Sequence, residues 1–467
     1  MEAWQAQGGW WLPGVPDKKL FGTLSCNEEG ELRLSVLGSF GEGGFFGGRP
    51  SGEHIATILG IAVRENESQK VTLRGCFVLK QSWSGGELGN KQEIFAHRVF
   101  FGDHLTAAVD FEFRSASLSF SGLAAWADKL TGFSPEGGHA SIAWEFPKTL
   151  DGIIPSGTFC LGAGYSYSGT SRKKTLTENI GISFHFSTSF SENDVATKII
   201  SPFQNFFTLA TDLPNAMTKL TVSRMASTAE NIVVIGPTTF TDESVADGLM
   251  PYKMLFSLED VRDRLERVFQ LWLDISRRFE NALVVYFGCI YSPAGYADLR
   301  FQQIMNVVDL YHSANVHAAM DRPTPAEQLL NEISRNLPPE ESAPLKALLG
   351  SHPLIASERA LVALVREHQK EVSPLVTDKD GRGTDAFIKY ALNTLRYTIT
   401  RERPSGPFAA DGADLHWLTE RMAFLIKISL LKELEFPSDQ VAEILKRNRS
   451  FRHIADNIQP TTSWGSS

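Results

Sequence analysis

Few residue groups in this chain carry chemistry on spacing alone. His416 and Glu420 are four apart on a predicted helix, so they share a face and have the types of an acid–base pair. Asp309 and His312, three apart, also share a face; the plainer reading is a surface pair flanking an apolar stripe. Ser171-Arg172-Lys173-Lys174 matches SxxK but lies in a Ser-rich turn without the companion motifs, and reads as a solvated loop. Lys446, Arg447, Arg449 and Arg452 crowd the C-terminal end beside His453, which in the plainest reading is a frayed basic helix end. The glycine-rich stretches Gly41 to Gly48 and Gly162 to Gly169 contain neither GxGxxG nor a phosphate loop with its lysine, and read as turns between strands. GxSxG and HExxH are also missing.

The elements that must position these residues fall into two kinds. With 467 residues, more than one domain is expected. To about Gly248 the chain alternates apolar and polar residues at period two, as in Leu32–Val36, Val71–Val78 and Ile180–Phe186, the signature of half-buried antiparallel strands. Leu258, Val261, Leu265, Val268 and Leu271 then recur at helical spacing, in a helix ending near Arg278. The apolar run Leu283–Cys289 reads as a short strand, and the loop Ser292–Gly295 as a domain boundary. Helices are predicted beyond it at 298–320, 325–336, 340–350, 357–372, 385–401, 413–435 and 438–447, with prolines such as Pro353, Pro374 and Pro437 at their ends. The segment Ala413 to Phe436 is the most apolar and is expected to be the core of the helical part.

Composition narrows the function classes. A formal charge of −9 argues against wholesale binding to duplex DNA, although a local basic patch is allowed. The four cysteines, Cys26, Cys76, Cys160 and Cys289, have no CxxC or zinc spacing and are expected to be buried thiols in a reducing compartment. No signal peptide precedes Gln5, and the longest apolar run, Ala282 to Tyr291, is about half of a bilayer span. A soluble, cytoplasmic protein is therefore expected. Trp10, Trp11, Trp83, Trp126 and Trp144 lie in the β-rich half, mostly as core, with an exposed aromatic as a candidate recognition surface. A β-sandwich that binds carbohydrate, with a helical spacer, explains these tryptophans but not the helical pattern.

Gly9-Trp10-Trp11-Leu12-Pro13, then Phe21-Gly22-Thr23-Leu24, Ile58-Leu59-Gly60, Val71-Thr72-Leu73 and Phe111 to Trp126 occur in an order similar to the N-terminal domain of ApeA-like proteins, a bacterial anti-phage family. In that family the β-rich domain precedes a HEPN domain, a helical bundle found in many prokaryotic RNases. Phe301 to His312 and the helix 413–435 resemble the first and last core helices of such a domain. The implied chemistry is metal-free RNA cleavage across a dimer. The 2′-hydroxyl attacks, histidine moves the proton, and arginine forks onto the phosphate. A polar residue after the arginine, often Asn, supports the site, and an acidic residue on the first helix, here Asp309, orients the arginine.

Two segments compete for the Arg–x4–6–His motif of that family. By position it belongs at Asn393-Thr394-Leu395-Arg396-Tyr397-Thr398-Ile399-Thr400-Arg401, where Leu395 falls in place of Arg, Arg396 in place of Asn and Thr400 in place of His. Ile388, Leu392, Leu395 and Ile399 form an apolar stripe there, so Leu395 reads as core, while Arg396 remains able to meet a phosphate and Arg401 to support it. By pattern, Arg447, Asn448 and His453 fit, but beyond the last core helix. With 11 histidines, roughly two such spacings arise by chance, and Arg49 to His54 and Arg98 to His104 are two.

The expected architecture is α+β in two domains: an antiparallel β-rich domain over 1–292 and an all-α, HEPN-like helical bundle over 297–460. The expected function is anti-phage defence by a metal-independent endoribonuclease under an N-terminal sensor. The candidate site is Arg447, Asn448, His453 and Arg396, supported by Asp309 and Arg401, with no cofactor and no metal. The expected partners are RNA, with tRNA a candidate, a second copy through the helical domain and a phage-derived trigger, with no membrane. The alternative is a HEPN domain that has lost its chemistry and serves as an RNA- or protein-binding dimerisation scaffold.

Overall fold

The structure, a computed structural model, describes residues 3–40, 52–64, 67–83, 90–127, 148–169, 174–224, 231–236, 249–293, 295–315, 332–333, 335, 337–338, 353–376, 383–401 and 409–457. The expectations for Trp144, Arg49, the SxxK segment, Gly41–Gly48 and the helix at 340–350 lie outside these residues, as does most of that at 325–336. The chain divides into two compact units. One comprises Met1–Phe207, Asn215–Leu249 and Leu258–Glu266; the other comprises Thr208–Pro214, Met250–Ser257 and Arg267–Ser467. The architecture is the expected α+β, with antiparallel strands in the N-terminal part and helices in the C-terminal part.

In the first unit, period-two alternation builds a closed barrel. Strands β1 (Trp4–Trp11), β2 (Leu20–Cys26), β3 (Leu32–Leu37), β4 (His54–Arg64), β5 (Glu67–Trp83) and β6 (Asn90–Phe101) pair in the order β3-β2-β1-β4-β5-β6, and β3 closes onto β6. Closure removes the unpaired edges that an open sheet would expose. The interior is filled by residues of one parity from each strand, among them Trp10, Leu24, Leu34, Ile58, Val71 and Ile94, all fully buried. Trp10 donates its indole N–H to the Gly22 carbonyl at 3.2 Å. Its ring needs Gly60 opposite, because a Cβ there would meet the indole at 2.3 Å.

From β6 the same sheet continues beyond the barrel. The order continues β6-β12-β11-β7-β10-β9-β8, through β7 (Glu112–Phe120), β8 (Leu150–Ile154), β9 (Gly157–Gly169), β10 (Lys174–Ser191), β11 (Met217–Ser223) and β12 (Ile232–Ile235). A four-residue helix Glu192–Val195, a π-helical turn Ala196–Ile200 and helix α1 (Ser201–Thr211) follow β10 without a break. Aromatic rings fill the space beneath: Phe203 is 4.7 Å from Phe184, and Phe207 lies 5.1 Å from Phe120 and 5.3 Å from Trp126. Gly162–Gly169, expected to be a turn, is instead the second half of β9, paired residue by residue with β10. Glycine lowers strand propensity without forbidding pairing, and the long partner strand sets the conformation here.

The second unit is helical. Helix α2 (Leu265–Arg278) is preceded by 3-10 turns at Leu258–Asp260 and Arg262–Arg264, so the helix starts later than the spacing from Leu258 predicts. The predicted strand at Leu283–Cys289 is helix α3 (Glu280–Tyr291): Ala282, Leu283, Tyr286, Phe287 and Cys289 are buried while Val284 is 67% exposed. A short continuous apolar run does not distinguish a strand from a buried helix by periodicity. The Ser292–Gly295 loop, read as a domain boundary, joins α3 to α4 (Ala297–Ala314) inside this unit. Then come α5 (Pro353–Glu367), α6 (Gln369–Val376), α7 (Thr384–Thr400), α8 (Gly412–Glu433), α9 (Ser438–Arg447) and α10 (Arg449–Asp456). Pro374 is inside α6, not at its end, two residues before the helix stops. The basic end beyond 447, whose plainest reading is a frayed helix end, is helix α10: Phe451 and Ile454 are buried, and Phe451 packs edge-on to Phe424 at 5.5 Å.

Helix α8 is the core, as its composition predicts: every residue from Arg421 to Leu431 is buried. Among the described residues no helix is long and apolar enough to cross a membrane. None of the four cysteines forms a disulfide, and three of them are buried.

Candidate functional site

The candidate residues of the helical unit are set by the ends of its helices. Asn448 occupies the single-residue break between α9 and α10, with φ −68° and ψ 120°, and is fully buried. Its Oδ1 accepts the Phe451 amide at 2.8 Å, the usual duty of an Asn N-cap, and its Nδ2 donates to the Met254 carbonyl at 2.9 Å. Both ends of the side chain are thus committed to the fold. Arg447, the last residue of α9, is half-buried. His453 is exposed on α10. Its ring meets Trp417 edge-on at 5.1 Å, and its Nδ1 lies 3.5 Å from the Asn457 amide nitrogen, which donates to the His453 carbonyl at 2.7 Å.

Position-based candidates lie on α7. Leu395 is 6% exposed, as the core reading requires. The stripe is rotated from the expected one: Phe387, Ile388, Ala391, Thr394, Leu395 and Thr398 are buried, and Ile399 is 59% exposed. Ile399 stands two residues before the left-handed cap at Arg401 (φ 61°), and the end of the helix leaves it in solvent. Arg396 is exposed on the outer face. The Thr400 hydroxyl donates to the Arg396 carbonyl at 3.0 Å, and Arg401 pairs with Asp298 at 2.5 Å.

Asp309, on α4, accepts the Ser357 hydroxyl at 2.7 Å. Burial pushes its carboxyl up to about 6, and the Ser357 hydrogen bond only partly offsets this. Burial also lowers the pKa of His312, and the Arg359 charge adds to the shift. The His416–Glu420 pair is not formed as an acid–base couple: Glu420 accepts Arg300 at 2.6 Å, and His416 packs against Trp417 at 5.1 Å. The contacts of Asn448, Arg401, Asp309 and His453 lead to four different places.

One grouping emerges that spacing did not reveal. The rings of His416, Trp417 and His453 form a row across α8 and α10, the two histidines exposed. Arg421, one turn from Trp417, is buried and donates to the Asn457 carbonyl at 3.3 Å. Burial draws its guanidinium down to about 10, against the pull of Tyr390 and Asp414, so it stays charged at neutral pH. Lys446, Arg449 and Arg452 are exposed on α9 and α10. Deeper in the unit, Lys427 pairs with Asp212 at 2.6 Å. Desolvation raises the Asp212 carboxyl, and Lys427 opposes the rise. Arg421 and Lys427 are legible in the sequence as charges within the most apolar helix, although they belong to no catalytic motif. Among the described residues no group of three or more His, Cys, Asp or Glu is placed to hold a metal ion.

Residues 5–272 match the family model described as ApeA N-terminal domain 1, more than half of the chain. No curated protein and no solved structure matches the chain.

Proposed function

From this chain's membership of the ApeA N-terminal domain family, which ties it to antiviral defence, we propose an anti-phage protein whose N-terminal unit senses infection and whose helical unit is a HEPN-like module. Two forms of that module compete: a metal-independent endoribonuclease, and a scaffold that holds RNA and dimerises without cutting it. The side-chain placement supports the second. At the position where the family carries its arginine, Leu395 is a buried core residue, and the residue in the histidine position, Thr400, bonds its own helix. The pattern-matching alternative is weakened because Asn448 is a buried cap. The row His416–Trp417–His453, together with the exposed Lys446, Arg449 and Arg452 on α9 and α10, suits base stacking and phosphate attraction.

The cutting form keeps one argument: His453 is exposed and supported by Asn457. The test is incubation of the purified protein with total RNA and tRNA in EDTA, with and without phage lysate, beside Arg447→Ala, His453→Ala and Arg396→Ala. The scaffold predicts RNA retention on a filter with no cleavage, retention weakening in His453→Ala and Trp417→Ala. Cleavage to cyclic-phosphate ends, silenced by one of the three alanine variants, would establish the nuclease instead and name its residue.

A further inference from the structure

Strand β6 changes partners along one edge, and a cavity lies at the change. Strand β3 pairs with β6 from Lys91 to Ala96, and β12 pairs with it from Val99 to Phe101. His97 and Arg98 fall at the fork between these two partners. Gly75, on β5 beside them, has φ +64°, and a Cβ there would touch the His97 Cβ at 3.0 Å.

The cavity, of about 340 Å³, lies at this fork, against the helical segment that begins at Glu192. Its walls are apolar, with Phe100, Phe113, Val195, Leu220, Val222 and Val234 contributing. The charged side chains of the lining are Arg98 and Glu192, with His97 beside them. Arg98 bonds Glu192, and Arg74 approaches the other oxygen of the same carboxylate at 3.4 Å while lying 3.8 Å from the Phe111 ring centroid. Two guanidiniums thus share one carboxylate: Arg98 within the cavity lining and Arg74 just outside it, so the Arg98–Arg74–Glu192 cluster at that end of the apolar space is net positive. A neutral ligand would leave that charge unused, and a cation would be repelled by it. The volume sits at the small end of ligand pockets, enough for a chain of several carbons or a single ring system.

We propose that this cavity binds a small amphipathic anion, with its hydrocarbon body between the sheet and the helical segment and its carboxylate or phosphate on Arg98, where the Arg74 charge behind Glu192 adds to the attraction. The site stands whether or not the helical unit cuts RNA. Arg98 sets the preference for an anionic head, and the apolar walls set the length of the body.

The experiment is calorimetric titration of the full-length protein with octanoate, octyl phosphate, octanol and octylamine. The expected result is that one of the two anions binds at least tenfold more tightly than octanol, with octylamine weakest; which anion binds better distinguishes a carboxylate from a phosphate head. Arg98→Gln should abolish the preference over octanol and leave octanol binding unchanged. Met217→Trp, which fills the cavity from a partly exposed position, should weaken all of them at least tenfold, and Val222→Phe serves if that variant fails to fold. Equal binding of octanoate, octyl phosphate and octanol, absence of binding at millimolar anion, or undiminished binding in a folded, cavity-filled variant would overturn the proposal.

Discussion

Replacing Asp309 by asparagine separates two readings of the carboxylate on α4. The family resemblance implies an acidic residue that orients a catalytic arginine, and such a partner would lower its pKa. In the structure burial dominates and the carboxyl is pushed up to about 6 from 3.8, with Ser357 as its hydrogen-bond donor. The sign follows from proton counting. Because the folded state holds this proton more tightly than the unfolded chain, the contribution is most favourable below 3.8, declines as pH rises to about 6 and stays unfavourable above it. Such a shift amounts to about 3 kcal/mol at neutral pH, and partial access to water reduces it to about 2 kcal/mol. Asparagine retains an oxygen for Ser357 and removes the charge. It also puts a donor at the site of Oδ1, which has no partner among the described residues, a cost of about 1 kcal/mol that does not vary with pH. Measured by urea unfolding with circular dichroism, the stability of Asp309→Asn relative to wild type should improve by about 1.5 kcal/mol between pH 4 and pH 7.5. A difference that stays flat, or that turns against the variant as pH rises, refutes the burial argument and restores an arginine-paired carboxylate.

Asn448→Ala removes both the cap of α10 and the tie to the Met254 carbonyl, and should lower stability by about 2 kcal/mol in urea unfolding. Lys427→Met leaves Asp212 buried without its cation and should destabilise by about 3–5 kcal/mol; adding Asp212→Asn, which tolerates the local φ of 57°, should recover most of that loss in the double variant. Gly60→Val places a branched side chain against the Trp10 indole and should cost about 3 kcal/mol or more, read as loss of soluble protein or a lowered thermal midpoint.

Where burial alternates cleanly, the sequence was a sufficient guide. Leu32–Val36 and Val71–Val78 are strands because one face enters the barrel core and the other does not. Closure of the barrel by β3 on β6 was not legible, because it depends on a pairing between strands separated by two others. Helix α8 was legible as core from its apolar content, and α9 matched its predicted limits, 438–447, because a proline precedes it and a basic turn ends it. The run Leu283–Cys289 failed because its apolar residues are consecutive, and the exposure of Val284 that reveals a helical face appears only in three dimensions.

The candidate site raises a related point, and it bears on function. A spacing of Arg, Asn and His is a statement about distance along one element, yet Arg447 and His453 stand on two helices and Asn448 is the break between them. Asparagine is frequent at such breaks because its side chain replaces a missing backbone acceptor, so an Arg-Asn pair at a helix end is as expected from capping as from catalysis. The same physics explains why the α7 segment read more reliably: Leu395 was assigned to the core from its periodicity, and it is in the core. A catalytic arginine placed there would be buried among Phe387, Ala391 and Thr398, where an unpaired guanidinium costs several kcal/mol. A nuclease built on this helical unit must therefore draw its phosphate ligand from an exposed side chain, Arg396 on α7 or the basic residues of α9 and α10, which are the positions where the alanine variants discriminate.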